Sequence, residues 1–494
     1  MGDAAVSTRP VELEDIQGLV RFGYKHHREA CFLLLRVKER AAARRWLASA
    51  PVSTSVEITP PPATALHVAL TSEGLRALGV ASDIVNGFSA EFVAGMTGDE
   101  SRTRRLGDVG PNAPDRWQWG AGSQVPHVLA LLYALPGQLA AWQRTIESHT
   151  AAGFDVMRAL TTSDMQGSEP FGFRDGISQP ELDWQRSRAV ADHDRLEYEN
   201  LTCLGEFLLG YPNEYAGYTD RPLLDRARHG ASLLPRAEDD PSKADLGRNG
   251  SYLVMRQFQQ DVHGFWRFLD RQAKGDAGLR EQLAAAIVGR TRAGAPLVGA
   301  PTPGNNDFTY RDDPRGVRCP LGAHIRRANP RTADLPPGPT NCISRLVRML
   351  GFDRTALEQD LVASTRFHRL LRRGREYGEA VSISDALDGR PRGDSPGLHF
   401  ICLNANLVRQ FEFVQNAWMA GTKFAGLPDE SDPLLGPRQP TAEGTPTDGF
   451  SMPQADGPDR RLSGLPAFVT VIGGAYFFLP GVRALRFLAT GGSV

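Results

Sequence analysis

The sequence predicts an α+β fold made of two similar halves, and three observations predict it. Short apolar runs rich in Leu, Val, Ile and Phe recur along the chain, each of strand length. Behind most of them stands a segment with helical spacing. This order is interrupted by a polar stretch rich in Pro, Gly, Asp and Arg from 213 to 248, after which it restarts. A chain of 494 residues is too long for one simple core, so two domains are expected, over 1–240 and 241–494. No residue-level repeat accompanies the shared pattern.

The elements follow in order. ACFLLLRV (30–37) reads as a buried strand, with the helix ERAAARRWLASA (39–50) behind it. LHVALT (66–71) and SEGLRALG (72–79) repeat the order, with Ser72 the expected N-cap. QVPHVLALLYAL (124–135) and FDVMRALTT (154–162) are strands around the helical PGQLAAWQRTIESHTAAG (136–153). In the second half SYLVMRQFQQD (251–261), LHFICLNAN (398–406) and FVTVIGGAYFFLPG (468–481) are strands. VHGFWRFLDRQA (262–273), VRQFEFVQNAWM (408–419) and VRALRFLA (482–489) are helices. The stretch 430–465 is a second long polar loop, and loops of that length inside a compact protein are often functional.

Composition excludes several classes. Net charge is −1 with no long basic stripe, so nucleic acid is not an expected partner. The first twenty residues carry acidic side chains where a secretion signal needs a basic flank and an apolar stretch. No segment approaches the ~18 uninterrupted apolar residues of a membrane span, and the chain is expected to be soluble and cytoplasmic. The five cysteines have no CxxC pair, so neither a disulfide framework nor a zinc site is indicated. CxxCH, which attaches c-type haem, is absent too.

Three stretches carry candidate chemistry. In CPLGAHIRRANPR (319–331) His324 lies among Arg326, Arg327 and Arg331. Like charges push an imidazole toward its neutral form, which is the form that ligates metals. The guanidiniums could pair with carboxylates of a partner beside the metal, a combination that suggests haem and its propionates. A surface or packing histidine is the plainer reading.

In EPFGFRDGISQP (169–180) Gly172 and Gly176 bracket Asp175. A DG turn on a surface hairpin is the plain reading. The flanks Phe171, Phe173 and Ile177 argue instead for a buried turn, whose carboxylate would be an acid/base candidate. In RFHRLLRRGREYG (366–378) five arginines crowd one segment, usually the mark of a solvated helix end. The change of spacing at Gly374 and Gly378 puts Arg372 and Arg373 where a helix gives way to a loop, so either could project into a cavity.

Together the three stretches resemble the dye-decolorizing peroxidases. That family's GxxDG motif is matched by Gly172-Phe173-Arg174-Asp175-Gly176, its CPxxAHIRxxNPR-like segment by Cys319 to Arg331, and its RxGxxYG-like segment by Arg372 to Gly378. GEFLLGYPNEY (205–215) and AYFFLPGVRALRFLA (475–489) are similar to family segments as well, so the resemblance runs from about residue 15 to the C-terminus. Length and loop content resemble the longer-chain branch. Glu376 departs from the pattern, where a proline commonly precedes the tyrosine.

The resemblance implies two ferredoxin-like domains with four-stranded antiparallel sheets and peripheral helices. It implies one haem b per chain, hydrogen peroxide as oxidant and an organic, dye-like or phenolic donor. His324 would ligate the iron, Asp175 would move the proton of peroxide and Arg372 would stabilise developing charge. Asp432 in SDPLLG (431–436) would back the histidine, although a simple Asp-Pro turn serves the residue equally well. Arg331 first, then Arg327, would face the propionates. Bulky donors would be oxidised at surface Trp or Tyr. A haem storage or delivery protein, or a deferrochelatase-like enzyme acting on the porphyrin or its iron, is the rival. Asp175 and Arg372 favour the peroxidase, since a carrier needs neither. Whether the chain forms a homo-oligomer is left open.

Overall fold

The computed structural model describes residues 10–187, 198–331, 364–389 and 395–490. Its apolar runs become strands because they are buried on both faces. In β1 (Glu29–Val37) Cys31, Leu33 and Leu35 enter one core, while Ala30, Phe32 and Leu34 enter the core on the other side. That two-sided burial is why the strand reads as a continuous apolar run rather than an alternating one.

The first half adds α1 (Arg40–Ser49), β2 (Thr64–Leu70), α2 (Ser72–Ala77), β3 (Val128–Ala134), α3 (Leu139–Thr150) and β4 (Phe154–Thr161). The second adds β5 (Ser251–Gln260), α4 (Val262–Gln272), α5 (Ala277–Val288) and the one-turn α6 (His324–Ala328). It continues with β6 (Leu371–Arg372), β7 (Arg375–Tyr377), β8 (Gly397–Asn404), β9 (Val469–Leu479) and α7 (Val482–Thr490).

The first half forms the four-stranded antiparallel order β4-β1-β3-β2. The second forms β9-β5-β8, whose fourth position is shared by β6 and β7 on the same edge. This is the ferredoxin-like α+β fold expected. The two sheets are continuous, because Phe478 of β9 pairs with Leu70 of β2. Among the described residues no helix is long and apolar enough to cross a membrane.

Several local expectations change. The N-cap of α2 is Thr71, whose hydroxyl accepts from Gly74 N, rather than Ser72. The arginine-rich segment is a helical turn at Ser364–Phe367 followed by edge strands, so Arg372 and Arg373 lie in extended chain. The helix expected over 408–419 is π-helical at Val408–Glu412 and Val414–Ala420. Such wide turns are rare and concentrate at functional sites; Phe411, Val414, Gln415 and Met419 from these segments line the main cavity. Each polar loop contains a small antiparallel pair, Leu223–Asp225 with Lys243–Asp245 and Phe450–Met452 with Arg460–Leu462.

Candidate active site

A cavity with about 260 Å³ open to the centres of water molecules lies beside the second sheet. Phe258 of β5, Leu398 and Phe400 of β8, and Phe411 and Leu434 give it apolar walls. Into it converge His324, Asp175 and Arg372, although they are far apart in sequence.

His324 opens α6, with its imidazole facing the cavity and its side chain 25% exposed. Its Nδ1 lies 3.1 Å from both carboxylate oxygens of Asp432, which fixes Nδ1 as the protonated nitrogen and leaves Nε2 to the cavity. Asp432 is fully buried, and its Oδ1 also accepts from Leu434 N at 3.0 Å and Leu435 N at 2.8 Å. The turn reading and the histidine-partner reading of Asp432 therefore both describe it. The expected sign of the His324 shift is reversed. Burial pulls its pKa down, but the Asp432 carboxylate, helped by Glu169, outweighs both burial and Arg372 and leaves it above the ordinary value.

Asp175 closes a tight loop held by several hydrogen bonds of its own and by one from Arg174 N to Arg292 O. Glu169 N donates to Phe173 O, Gly172 N to Glu169 O and Asp175 N to Gly167 O. Gly172 and Gly176 have φ of 91° and 75°, a left-handed backbone that other residues adopt only with strain. Phe171 packs on Phe265 and Phe173 on Trp266 of α4. Both phenylalanines are buried, while Arg174 is exposed and Asp175 is half-buried at the cavity, so the turn is anchored by its flanks rather than buried throughout.

Arg372 reaches the carboxylate from β6, with Nη1 2.9 Å from Asp175 Oδ1. Gln179 clamps its backbone at both ends, accepting from Arg372 N at 3.0 Å and donating to Arg372 O at 3.2 Å. Gly176 N donates to the same Asp175 Oδ1, so Oδ2 is the oxygen without a donor among the described residues. Burial raises the Asp175 pKa, and Arg372 with the Gly176 amide more than reverses it, leaving the group below its ordinary value. Arg373 turns to the opposite face, as strand alternation requires, and donates to Leu19 O and Val20 O.

The arginines beside His324 do not line the cavity. Arg327 is fully buried and donates to the carbonyls of Trp418, Gly421 and Glu430. Arg331 donates to Asn306 O, Phe308 O and Asn306 Oδ1. Arg326 is held by Asp313 and Cys319 O. The physical reason is shared: irregular chain leaves buried carbonyls without ladder partners, and a five-donor guanidinium satisfies several at once. Cys319 is buried outside the cavity, and burial pushes its thiol up to about 12, away from the thiolate a metal would need.

Besides Arg372, the cavity is lined by Arg174, Arg290 and Arg369, which carried no role in the sequence reading. Arg290 follows α5 and donates through Nη1 to Gly294 O and Asn305 O; its buried Nη2 has no partner among the described residues. Arg369 donates to Glu199 O and Asn200 Oδ1. Arg369 stands inside the arginine-rich segment, so that run held the signal; nothing around Arg290 distinguishes it. Glu169 and Gln260 also line the cavity and escaped notice, Glu169 as the first residue of a stretch read for its aspartate.

No family model matches the chain. It is 27% identical over 520 residues to the dye-decolorizing peroxidase msp1 of Mycetinis scorodonius, covering 98% of this chain and 88% of that one. It is 29% identical over 448 residues to the multifunctional dye peroxidase DyP2 of Amycolatopsis sp., covering 86% and 82%. A shorter likeness, 32% over 167 residues, joins 34% of this chain to 27% of a deferrochelatase of Yersinia pestis. In structure it is similar to a fungal DyP-type peroxidase from Auricularia auricula-judae, with a TM-score of 0.72, 24% identity, and coverage of 98% of this chain and 100% of that one. The curated relatives to which the chain is similar over nearly its whole length are thus named dye-decolorizing peroxidases, and its fold is that of DyP-type peroxidases.

Proposed function

We propose that this chain is a haem b peroxidase in which Asp175 moves the proton of hydrogen peroxide and Arg372 supplies the fixed positive charge. One observation carries the reading: the Asp175–Arg372 ion pair lies on the same cavity as His324, whose Nδ1 is already committed to Asp432. The residues present fit haem. Nε2 of His324, with Nδ1 backed by Asp432, would be a donor for iron once its own proton is released, and the walls are aromatic and aliphatic. Arg290, with its unpartnered buried Nη2, and Arg369 are cations suited to two propionates. Haem would supply a redox-active Lewis acid able to take up oxidising equivalents as the O–O bond breaks.

The chain's own part is proton and charge management. Oδ2 of Asp175 is the open base, and a pKa held below the ordinary value keeps it ionised in mildly acidic solution. It takes a proton from the inner oxygen of peroxide and returns it to the oxygen that leaves as water. Arg372 stays cationic throughout and stabilises charge on the departing oxygen. The organic donor is phenolic or dye-like. A related dye-decolorizing peroxidase of the same fold, 22% identical, has been solved with 2,6-dimethoxyphenol. A division of the chain near residue 240 belongs to the same reading, supported by the gap between β4, which ends at Thr161, and β5, which begins at Ser251.

The test is turnover of 2,6-dimethoxyphenol with hydrogen peroxide by haem-loaded protein. Asp175→Asn should retain the haem absorbance and lose turnover. Equal turnover in wild type and Asp175→Asn would remove the acid/base assignment. Haem binding without turnover in either would favour the carrier.

A further inference from the structure

Glu169 stands at the start of the loop that ends in Asp175, and its carboxylate is the loop's internal template. Oε1 accepts from Phe173 N at 3.0 Å, while Oε2 accepts from Phe171 N at 3.0 Å and from Gln260 Nε2 at 2.9 Å. Gln260 is the last residue of β5 and 6% exposed, and its Oε1 is buried without a partner among the described residues. An amide can turn over and exchange oxygen for nitrogen with little change of shape. An ionised Glu169 accepts from the nitrogen; a protonated Glu169 has an O–H to donate and needs the oxygen. In either orientation one end of the amide lacks a partner, so the amide itself favours neither.

We propose that Glu169 and Gln260 form a proton-dependent positioning pair, in which the protonation of Glu169 turns the Gln260 amide over and sets the electrostatic surroundings of Asp175. The proton comes from water and no other bond changes. In the ionised state a second negative charge faces Asp175 and strengthens it as a base; in the neutral state that charge is gone while Phe173 N keeps its acceptor. Asp175 on its own loop and His324 on α6 act electrostatically on Glu169; Arg174, Arg290 and Arg372 share the cavity wall with it, and Glu376 on β7 also acts on Asp175. β5 presents only the neutral Gln260. Burial, reinforced by Asp175 and partly offset by the three donors, pushes the Glu169 pKa up to about 7, so both states are populated near neutral pH.

This inference rests on the proposed role of Asp175, so its first test avoids peroxide altogether. Infrared difference spectra of the purified protein, titrated from about pH 5 to about pH 8, are expected to show a protonated-carboxyl band with a midpoint near about 7. The band should be missing from Glu169→Gln. Glu206 and Glu376, whose pKa values are also pushed up to about 7, titrate in the same window and stay in both spectra, so the comparison isolates Glu169. Gln260→Leu keeps Glu169 and both backbone donors but removes a charge-assisted bond to the anion, stronger than the neutral bond the turned amide gives the protonated form, so its midpoint should move to higher pH. It also serves if Glu169→Gln fails to fold. The band should persist in Asp175→Asn, which separates this inference from the role given to Asp175.

The second readout is the rate with peroxide. The ratio of Glu169→Gln to wild type should change about three- to tenfold between about pH 5 and about pH 8, as loss of one nearby charge implies. A purely structural role would give a constant ratio. Identical carboxyl spectra in wild type and Glu169→Gln would overturn the proposal. So would an unmoved midpoint in Gln260→Leu, which would leave Glu169 titrating without its partner.

Discussion

Arg372 Nη1 donates to Asp175 Oδ1 at 2.9 Å and ties an edge strand of the second sheet to a loop that precedes it by 197 residues. The contact decides the protonation of the only aspartate on the cavity among its described lining residues. Burial alone would raise the carboxyl, and the guanidinium, with the Gly176 amide and His324, more than reverses that.

Arg372→Leu should therefore slow the reaction with peroxide by about 10²–10³, equivalent to about 3–4 kcal/mol of barrier. The sign of the pH effect follows from the shift. With Arg372 present Asp175 ionises below its ordinary 3.8; without it burial dominates and ionisation moves up, so the acid limb of the rate must move to higher pH. Arg373→Leu should leave that limb in place, because its guanidinium serves Leu19 O and Val20 O on the other face. Stopped-flow rates over about pH 3 to 8 decide it. A limb that moves with Arg373 and not with Arg372 would reverse the assignment.

Asp432→Asn keeps an oxygen for Leu434 N and Leu435 N but turns an amide toward His324 Nδ1. The backing charge is lost while the turn survives. Haem transfer to an acceptor globin should quicken by about 10- to 100-fold, as expected for a lost partner of a metal-bound histidine. His324→Ala should leave a folded protein that holds little haem. Normal retention in that variant would move the ligand elsewhere.

The long strands were legible because two-sided burial writes itself as an unbroken apolar run, as in ACFLLLRV and SYLVMRQFQQD. β6 and β7 were not, since short edge strands full of arginine carry no apolar signal and only their pairing with β8 makes them strands. At the site, motif spacing singled out Asp175, Arg372 and His324, and the structure brings them to one cavity. Arg327 and Arg331 stand off the cavity wall for a physical reason. Closeness in sequence to His324 says nothing of direction, and a one-turn helix followed by irregular chain sends successive side chains to different neighbours. Arg290 was invisible because its place at the cavity depends on the loop after α5.

Gly374 separates β6 from β7 while both pair with β8, and the strands come too close there for a side chain. A Cβ on Gly374 would lie 2.7 Å from His399 O. Gly374→Ala must push β6 outward, at a cost of about 1–3 kcal/mol, and Arg372 moves with it. Thermal unfolding should show the loss, and the peroxide rate should fall although no catalytic group has changed. A stable variant with an unaltered rate would mean the edge yields without carrying Arg372.

Arg290 and Arg327 make opposite predictions that separate holding haem from holding the chain. Arg327→Met strips a donor from the carbonyls of Trp418, Gly421 and Glu430, all beside the π-helical wall or the Asp432 turn. Unpaired buried acceptors are expensive, so the fold should lose about 2–4 kcal/mol. Haem affinity of the protein that remains folded should change little, because the guanidinium does not reach the cavity. Arg290→Leu and Arg369→Leu remove cations that do line it, and each should weaken haem binding by about tenfold or more, the loss of one charge-assisted contact. Denaturant unfolding and haem titration of the three variants give both quantities. Weak haem binding in Arg327→Met, with Arg290→Leu and Arg369→Leu unaffected, would return the propionates to the cluster around His324.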